Sequence, residues 1–270
     1  MTLKNLMVHL DGSARSAARL DLAVALARQH QARLVGVFGQ RARAEQIGVV
    51  ATWPPAEYVA AAEASQAAFA QASAGLAQAA WQDINRGSDT ELLHRITASA
   101  RYFDLTLLGQ HDDEMNGTVP PELPEELVVN AGRPILVVPY VGDYSAPFRR
   151  PLIAWNNSRE AAHALNDALP LIAGCEEAIV LSLDTRQEEA EAACAAVTSH
   201  LACHGIKAKT EVLVVEDIGI MDMLLNRVSD HGSDLLVMGA HGQIGFPFVS
   251  RGAGTRHILR SMTVPVLMAN

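Results

Sequence analysis

The stretch Leu6-Met7-Val8-His9-Leu10-Asp11-Gly12-Ser13 returns 145 residues later as Pro151-Leu152-Ile153-Ala154-Trp155-Asn156-Asn157-Ser158. In each copy a short apolar run ends in a polar turn, then a serine suited to cap the helical, alanine-rich stretch that follows. Two more echoes lie downstream: Asp104-Leu105-Thr106-Leu107-Leu108-Gly109 in Asp234-Leu235-Leu236-Val237-Met238-Gly239, and Arg133-Pro134-Ile135-Leu136-Val137-Val138 in Thr263-Val264-Pro265-Val266-Leu267-Met268. There the offset has fallen to about 130, so the first copy carries extra residues, placed around Gln40 to Ala56. A self-similarity this long means one module used twice. The length of 270 residues suits two domains of ordinary size. The modules are assigned to 1–142 and 149–270, because Gly142, Asp143, Ser145 and Pro147 break the periodicity between Tyr140 and Arg150.

Within the second copy the pattern predicts strands near Leu152–Trp155, Ala178–Leu183, Lys209–Val215, Leu235–Met238 and Val264–Ala269. Helices are predicted over Ser158–Ala173, Gln187–His204, Ile218–His231 and Thr255–Ser261. The first copy repeats the plan, with a long alanine-rich crossover helix from about Glu57 to Ala80. Strand–helix alternation demands parallel strands, because each crossover must return over the sheet with its apolar stripe inward. The expected fold is therefore α/β: two tandem doubly wound domains, each an open five-stranded parallel sheet with helices on both faces and strand order 3-2-1-4-5.

Composition removes several function classes. Hydrophobic residues at 49%, with 19 glycines and 12 prolines, exclude a disordered or low-complexity chain. A net charge of −9 has the wrong sign for neutralising nucleic-acid phosphates, so no nucleic-acid partner is expected. No apolar run reaches membrane-spanning length and none near the start suits a secretory signal, so the chain reads as soluble and cytoplasmic, with no membrane partner. Cys175, Cys194 and Cys203 are an odd set without metal spacing, read as reduced thiols.

The candidate chemistry follows the fourth strand of the second copy. Gly239-Ala240-His241-Gly242-Gln243-Ile244-Gly245-Phe246-Pro247-Phe248-Val249-Ser250-Arg251-Gly252-Ala253-Gly254-Thr255 holds five glycines and runs into a helix. In open parallel sheets the ligand crevice lies beyond the strands' carboxyl ends. Gly239 and Gly242 permit close backbone approach there. Gly252 and Gly254 leave amides bare at a helix amino terminus, where unpaired N–H groups and the dipole attract phosphate. Thr255 adds a hydroxyl donor or caps the helix, and Arg251 is a candidate partner for a phosphate oxygen. The spacing is neither a Walker loop nor a GxGxxG fingerprint.

The Gly-x2-Gly-x9-Gly pattern at Gly239, Gly242 and Gly252, in a half that closes with Val264-Pro265-Val266-Leu267, resembles the universal stress protein family. The doubled arrangement is similar to its tandem members, over nearly the whole chain apart from the insertion near Gln40 to Ala56. The resemblance implies binding of an adenine nucleotide, ATP or AMP, alone or with Mg, in a stress-response or signalling role. It implies adenine and ribose contacts from Ala154, Trp155, Asn156 and Leu183, and ribose and phosphate contacts from Met238, Gly239, Gly242, Gly252, Ala253, Gly254 and Thr255. Two positions depart from the family pattern: Ala253 stands where a serine or threonine is usual, and Asn156 where an aspartate is frequent. Trp155 either stacks on a base, blocks the crevice or belongs to the core.

The first copy keeps the loop's length and loses its composition. Asp112 replaces Gly242, and Glu122 and Glu125 fall near Gly252 and Thr255. Asp112, Asp113 and Glu114 place like charges where phosphates would sit, and Pro120, Pro121 and Pro124 remove amide donors. This half is expected to bind no nucleoside triphosphate, although it retains Asp11 and Ser13. Among catalytic candidates, His241 and His257 lack a carboxylate in the sequence nearby to orient them, so hydrolysis ranks third among the readings. A motif-decayed scaffold or a sensor of another small ligand ranks second. The last strand of each half, Ile135–Pro139 and Val264–Ala269, is expected at a sheet edge, where in the family it pairs domains. An intrachain pseudo-dimer is therefore expected, with room for a homodimer.

Overall fold

The computed structural model describes residues 2–47, 50–112, 117–214, 219–241 and 252–270. The chain forms two compact units, Leu3–Arg133 and Pro134–Asn270.

In the amino-terminal unit the order is β1 (Asn5–Leu10), α1 (Ser16–His30), β2 (Arg33–Phe38), β3 (Glu45–Ile47), β4 (Val50–Thr52), α2 (Ala56–Ser73), β5 (Ala79–Asp83), α3 (Asp89–Ala100), β6 (Leu105–Gly109) and α4 (Leu123–Asn130). Four strands pair in parallel in the order β5-β2-β1-β6. The extra residues of this copy form a separate antiparallel hairpin, β3 with β4. One expected element is corrected. The helix read from Glu57 to Ala80 ends at Ser73, and Ala79–Asp83 is the edge strand β5. Alanine favours helix, yet its small side chain also fits an edge strand, so composition alone carried the helix too far.

The carboxyl-terminal unit contains β7 (Ile135–Val138), β8 (Pro151–Ala154), α5 (Arg159–Ile172), β9 (Ala178–Asp184), α6 (Gln187–Cys203), β10 (Ala208–Val214), α7 (Ile220–Asp230), β11 (Leu235–Gly239), α8 (Ala253–Ser261) and β12 (Val266–Ala269). Five strands are parallel in the order β10-β9-β8-β11-β12. A sixth, β7, lies antiparallel on β12, with Val137 opposite Val266 and Ile135 opposite Met268. By sequence β7 closes the first repeat, yet by contact it belongs to this unit.

Local chemistry explains the elements. β7 and β12 are buried along their whole length, as expected of strands covered on both faces. Ser158 caps α5, its Oγ accepting from the Ala161 N–H at 3.1 Å. Ala161, Ala164, Leu165, Ala168 and Ile172 then recur at helical spacing and are buried. Ser88 does the same for α3, accepting from the Glu91 N–H at 3.4 Å while donating back to Glu91 Oε2 at 2.7 Å.

Candidate functional site

In the carboxyl-terminal unit β8 lies between β9 and β11, so its crossovers leave toward opposite faces and open a crevice beyond the strand ends. A cleft of about 380 Å³ occupies that place, a size within the range of small-ligand sites. Ala154, Trp155 and Asn156 line it where β8 ends, Leu183 and Asp184 where β9 ends, and Met238 and Gly239 where β11 ends. Gly252, Gly254 and Thr255 form the wall at the start of α8. The sequence-derived residues Ala154, Trp155, Asn156, Leu183, Met238, Gly239, Gly252, Gly254 and Thr255 thus come together. Ala253 opens α8 without lining the cleft. Gly242 and Arg251 lie outside the described residues, as do Gly245, Ser250, Asp113 and Glu114.

The amino terminus of α8 carries the electrostatics. Gly252 is its N-cap, at φ +83°, a left-handed conformation that suits glycine, and among the described residues no side chain caps the helix. The first turn contains no acidic residue. The free amides and the positive end of the helix dipole therefore stay available to an anion. The His241 N–H donates to Thr255 Oγ1 at 3.0 Å, leaving the threonine hydroxyl to donate its own proton. The His241 ring lies beneath Gly252, where any Cβ would strike it.

Three expectations change in detail. A Cβ on Gly239 would come within 2.5 Å of backbone atoms of Glu160 and Ala161, so this glycine admits the first turn of α5 against β11. Asn156 directs Oδ1 to the Ser158 hydroxyl at 2.7 Å and helps position the α5 cap, so its amide rather than its oxygen is left toward a ligand. His257 does have an orienting carboxylate, Asp222 Oδ1 at 2.7 Å across α7 and α8, a pairing invisible in sequence because the partners are 35 positions apart. Neither His257 nor Asp222 lines the cleft.

One wall was missed in the sequence. Ile220, Met221 and Leu224 project from one face of α7 into the lining, and Asp184 ends β9 with Thr185 and Arg186 in the turn that follows. The α7 stripe reads as ordinary core until the topology shows that it faces an opening. The turn after β9 was within reach of the rule that ligands sit beyond strand ends.

The matching place in the amino-terminal unit is filled. The Arg19 guanidinium donates through Nε to the His9 carbonyl at 2.7 Å and pairs through Nη2 with Asp11 Oδ2 at 3.2 Å, both side chains buried. It packs so tightly on Gly109 that a Cβ there would overlap it. His9 Nε2 lies 2.9 Å from the Gly39 carbonyl, to which the neutral ring donates. Burial pushes the His9 pKa down to about 4, with Arg19 adding to the effect. Burial opposes ionisation of Asp11, yet Arg19, His9 and the bonds from Ser13 outweigh it and hold the carboxyl below its ordinary range. At the helix that corresponds to α8, α4 has Glu122 as N-cap, Pro124 at its start and Glu125 and Glu126 in the first turn. Glu122 thus stands where Gly252 stands in the other unit.

Among the described residues, no helix is long and apolar enough to cross a membrane, and no three His, Cys, Asp or Glu residues are grouped to hold a metal ion. Cys175, Cys194 and Cys203 are unbridged.

No protein-family model matches the sequence, and no curated protein matches it. Solved structures do. A universal stress protein from Archaeoglobus fulgidus DSM 4304 superposes with TM-score 0.73 at 14% identity, covering 100% of this chain and 97% of that one. A putative universal stress protein from Pseudomonas aeruginosa UCBPP-PA14 gives 0.62 at 16%, covering 99% and 93%. A functionally unknown protein from Pseudomonas aeruginosa PAO1 gives 0.62 at 16%, covering 99% and 92%. Over its full length the chain therefore has the fold of these structures, two of which are described as universal stress proteins.

Proposed function

We propose that the chain is a tandem universal stress protein that binds an adenine nucleotide, ATP or AMP, in the cleft of its carboxyl-terminal unit. The observation that carries this reading is the uncapped, acid-free amino terminus of α8 opening onto a cleft at the β8–β11 crossover point. Phosphate fits the bare amides of Gly254 and Thr255 at the cleft wall, and Gly242, Arg251 and Ala253 are proposed as further phosphate contacts. The base fits between the apolar face of α7 and the strand ends at Ala154, Trp155, Asn156 and Leu183. Mg²⁺, where present, is proposed to come with the phosphates as part of the ligand.

The modules 1–142 and 149–270 divide the work. The second binds nucleotide and the first, its crevice filled by Arg19, is the structural half of an intrachain pseudo-dimer. The role proposed is stress response or signalling in the cytoplasm, with further association into a homodimer.

Calorimetry on the purified protein tests the reading. One saturable site for ATP and AMP is expected, together with a rise in thermal midpoint. No heat and no thermal shift at millimolar nucleotide would overturn it in favour of a sensor of another small ligand, the reading that Ala253 and the bulk of Trp155 support. Release of ADP from bound ATP would add slow hydrolysis to binding.

A further inference from the structure

The turn that leaves β9 places a single carboxylate in the cleft. Asp184 is the last residue of β9, in register with Val214 of β10, and it is the one carboxylate among the described residues of the lining. Among the described residues its contacts are one-sided. The Arg186 N–H donates to Oδ1 at 3.1 Å, the Thr185 hydroxyl approaches Oδ1 at 3.5 Å, and the Arg186 Nε lies 3.9 Å from the same oxygen. The rest of the Arg186 guanidinium turns away to Glu189. These bonds fix the carboxylate's orientation, and none of them uses Oδ2. The side chain is 31% exposed.

Position decides what Oδ2 meets. β9 and β11 are separated by β8, so their ends lie two strand spacings, about 10 Å, apart. A 5′-mononucleotide anchored by its phosphate at α8 spans that distance with its base edge. An ionised carboxylate only accepts hydrogen bonds. It attracts an exocyclic amine and repels a carbonyl oxygen at the same place on the ring. By strand register the corresponding position in the amino-terminal unit is Gln40, whose Oε1 accepts from the Gly12 N–H at 2.8 Å.

We propose that Asp184 is a specificity-determining residue of the cleft, selecting a purine with an amino group at its edge over one with a keto group by accepting a hydrogen bond on Oδ2. This rests on the nucleotide reading given above. Asp184→Asn keeps an oxygen for the Arg186 N–H and turns an amide donor toward the ligand, so it changes the sign of the edge with little change of shape.

The test is calorimetry with AMP and IMP on the full chain, wild type and Asp184→Asn, with 2′-deoxy-AMP as a third ligand. The wild type is expected to prefer AMP over IMP by tenfold or more, and Asp184→Asn to abolish or invert that ratio while its AMP:2′-deoxy-AMP ratio stays put. A purely structural role would weaken AMP and IMP equally and leave the ratio unmoved, which overturns the proposal. A change confined to the 2′-deoxy ratio would mean that the carboxylate faces the sugar, and overturns it too. If the wild type binds neither AMP nor IMP, the nucleotide reading falls first and this one with it. Tight AMP binding with no preference over IMP sinks this assignment alone.

Discussion

The two units solve one topological problem in opposite ways. Parallel strands that diverge at a crossover leave a hollow at their carboxyl ends, and the hollow must be filled by protein or left to a ligand. In the amino-terminal unit Arg19 fills it, held by the His9 carbonyl and Asp11. The repeat places Ala154, Asn156 and Ala164 where the first copy has His9, Asp11 and Arg19. Three ionisable groups become two methyls and an amide, and the hollow stays open. The adjoining helix changes in step, from Glu122, Glu125 and Glu126 to Gly252 and an acid-free turn. Filling and charge reversal occur together, as the proposed division of labour between the two halves requires.

The comparison can be broken most forcefully at Arg19. Arg19→Ala leaves the Asp11 carboxylate buried without its cation and is expected to cost about 3–5 kcal/mol of stability, read by denaturant unfolding. A loss under about 1 kcal/mol would mean that the pair does not hold the filled crevice together.

Acidification probes the same cluster. His9 has a native pKa of about 4 against an ordinary 6.5. The unfolded state therefore takes up its proton first, and stability falls as pH drops from 6.5 toward 4. The loss amounts to about 3 kcal/mol from this one group. Asp11 is depressed instead, so its contribution is present above its ordinary carboxylate range and disappears only as pH falls further through its native value. His9→Gln, which keeps a donor for the Gly39 carbonyl, should flatten the slope between pH 6.5 and 4 in thermal melts; an unchanged slope refutes the buried neutral imidazole.

Charge alone can be moved across the pair of units by Ala253→Glu, which copies the acidic first turn of α4 into α8. A carboxylate at that position favours the helix dipole, so stability should hold or rise. ATP affinity should fall at least 100-fold, about 2.7 kcal/mol by calorimetry. Unaltered affinity would separate the bare helix terminus from binding. The smallest effect concerns α5. Ser158→Ala removes its cap and the partner of Asn156, at about 1 kcal/mol of stability, and a larger drop in nucleotide affinity than in stability would show that the cap positions the cleft.

Much of this contrast could be read in the residues before any coordinates. The repeat located β8 and β11, and the rule about strand ends then brought Ala154, Trp155, Asn156 and Gly252 together. The swap of Gly252 for Glu122 was also visible, because the loop had kept its length. Arg19 was not legible as a filler, since one arginine in a helix looks solvated until its neighbours in space are known. His9 was the available hint, an ionisable group in an otherwise apolar strand. The wall from Ile220, Met221 and Leu224 escaped for the converse reason, as an apolar stripe does not declare whether it meets core or cavity. Alanine hid β5, because it satisfies helix and strand alike.

The placement of β7 has a practical consequence for anyone who wishes to study the half with the open cleft in isolation. A fragment starting at residue 149 would expose the outer hydrogen-bonding edge of β12 and the apolar side chains of Val266, Leu267 and Met268, an invitation to intermolecular β-pairing and insoluble product. Starting instead at Pro134 carries the natural cover along, so the yield of soluble fragment from the two start points reports directly on where the domain begins.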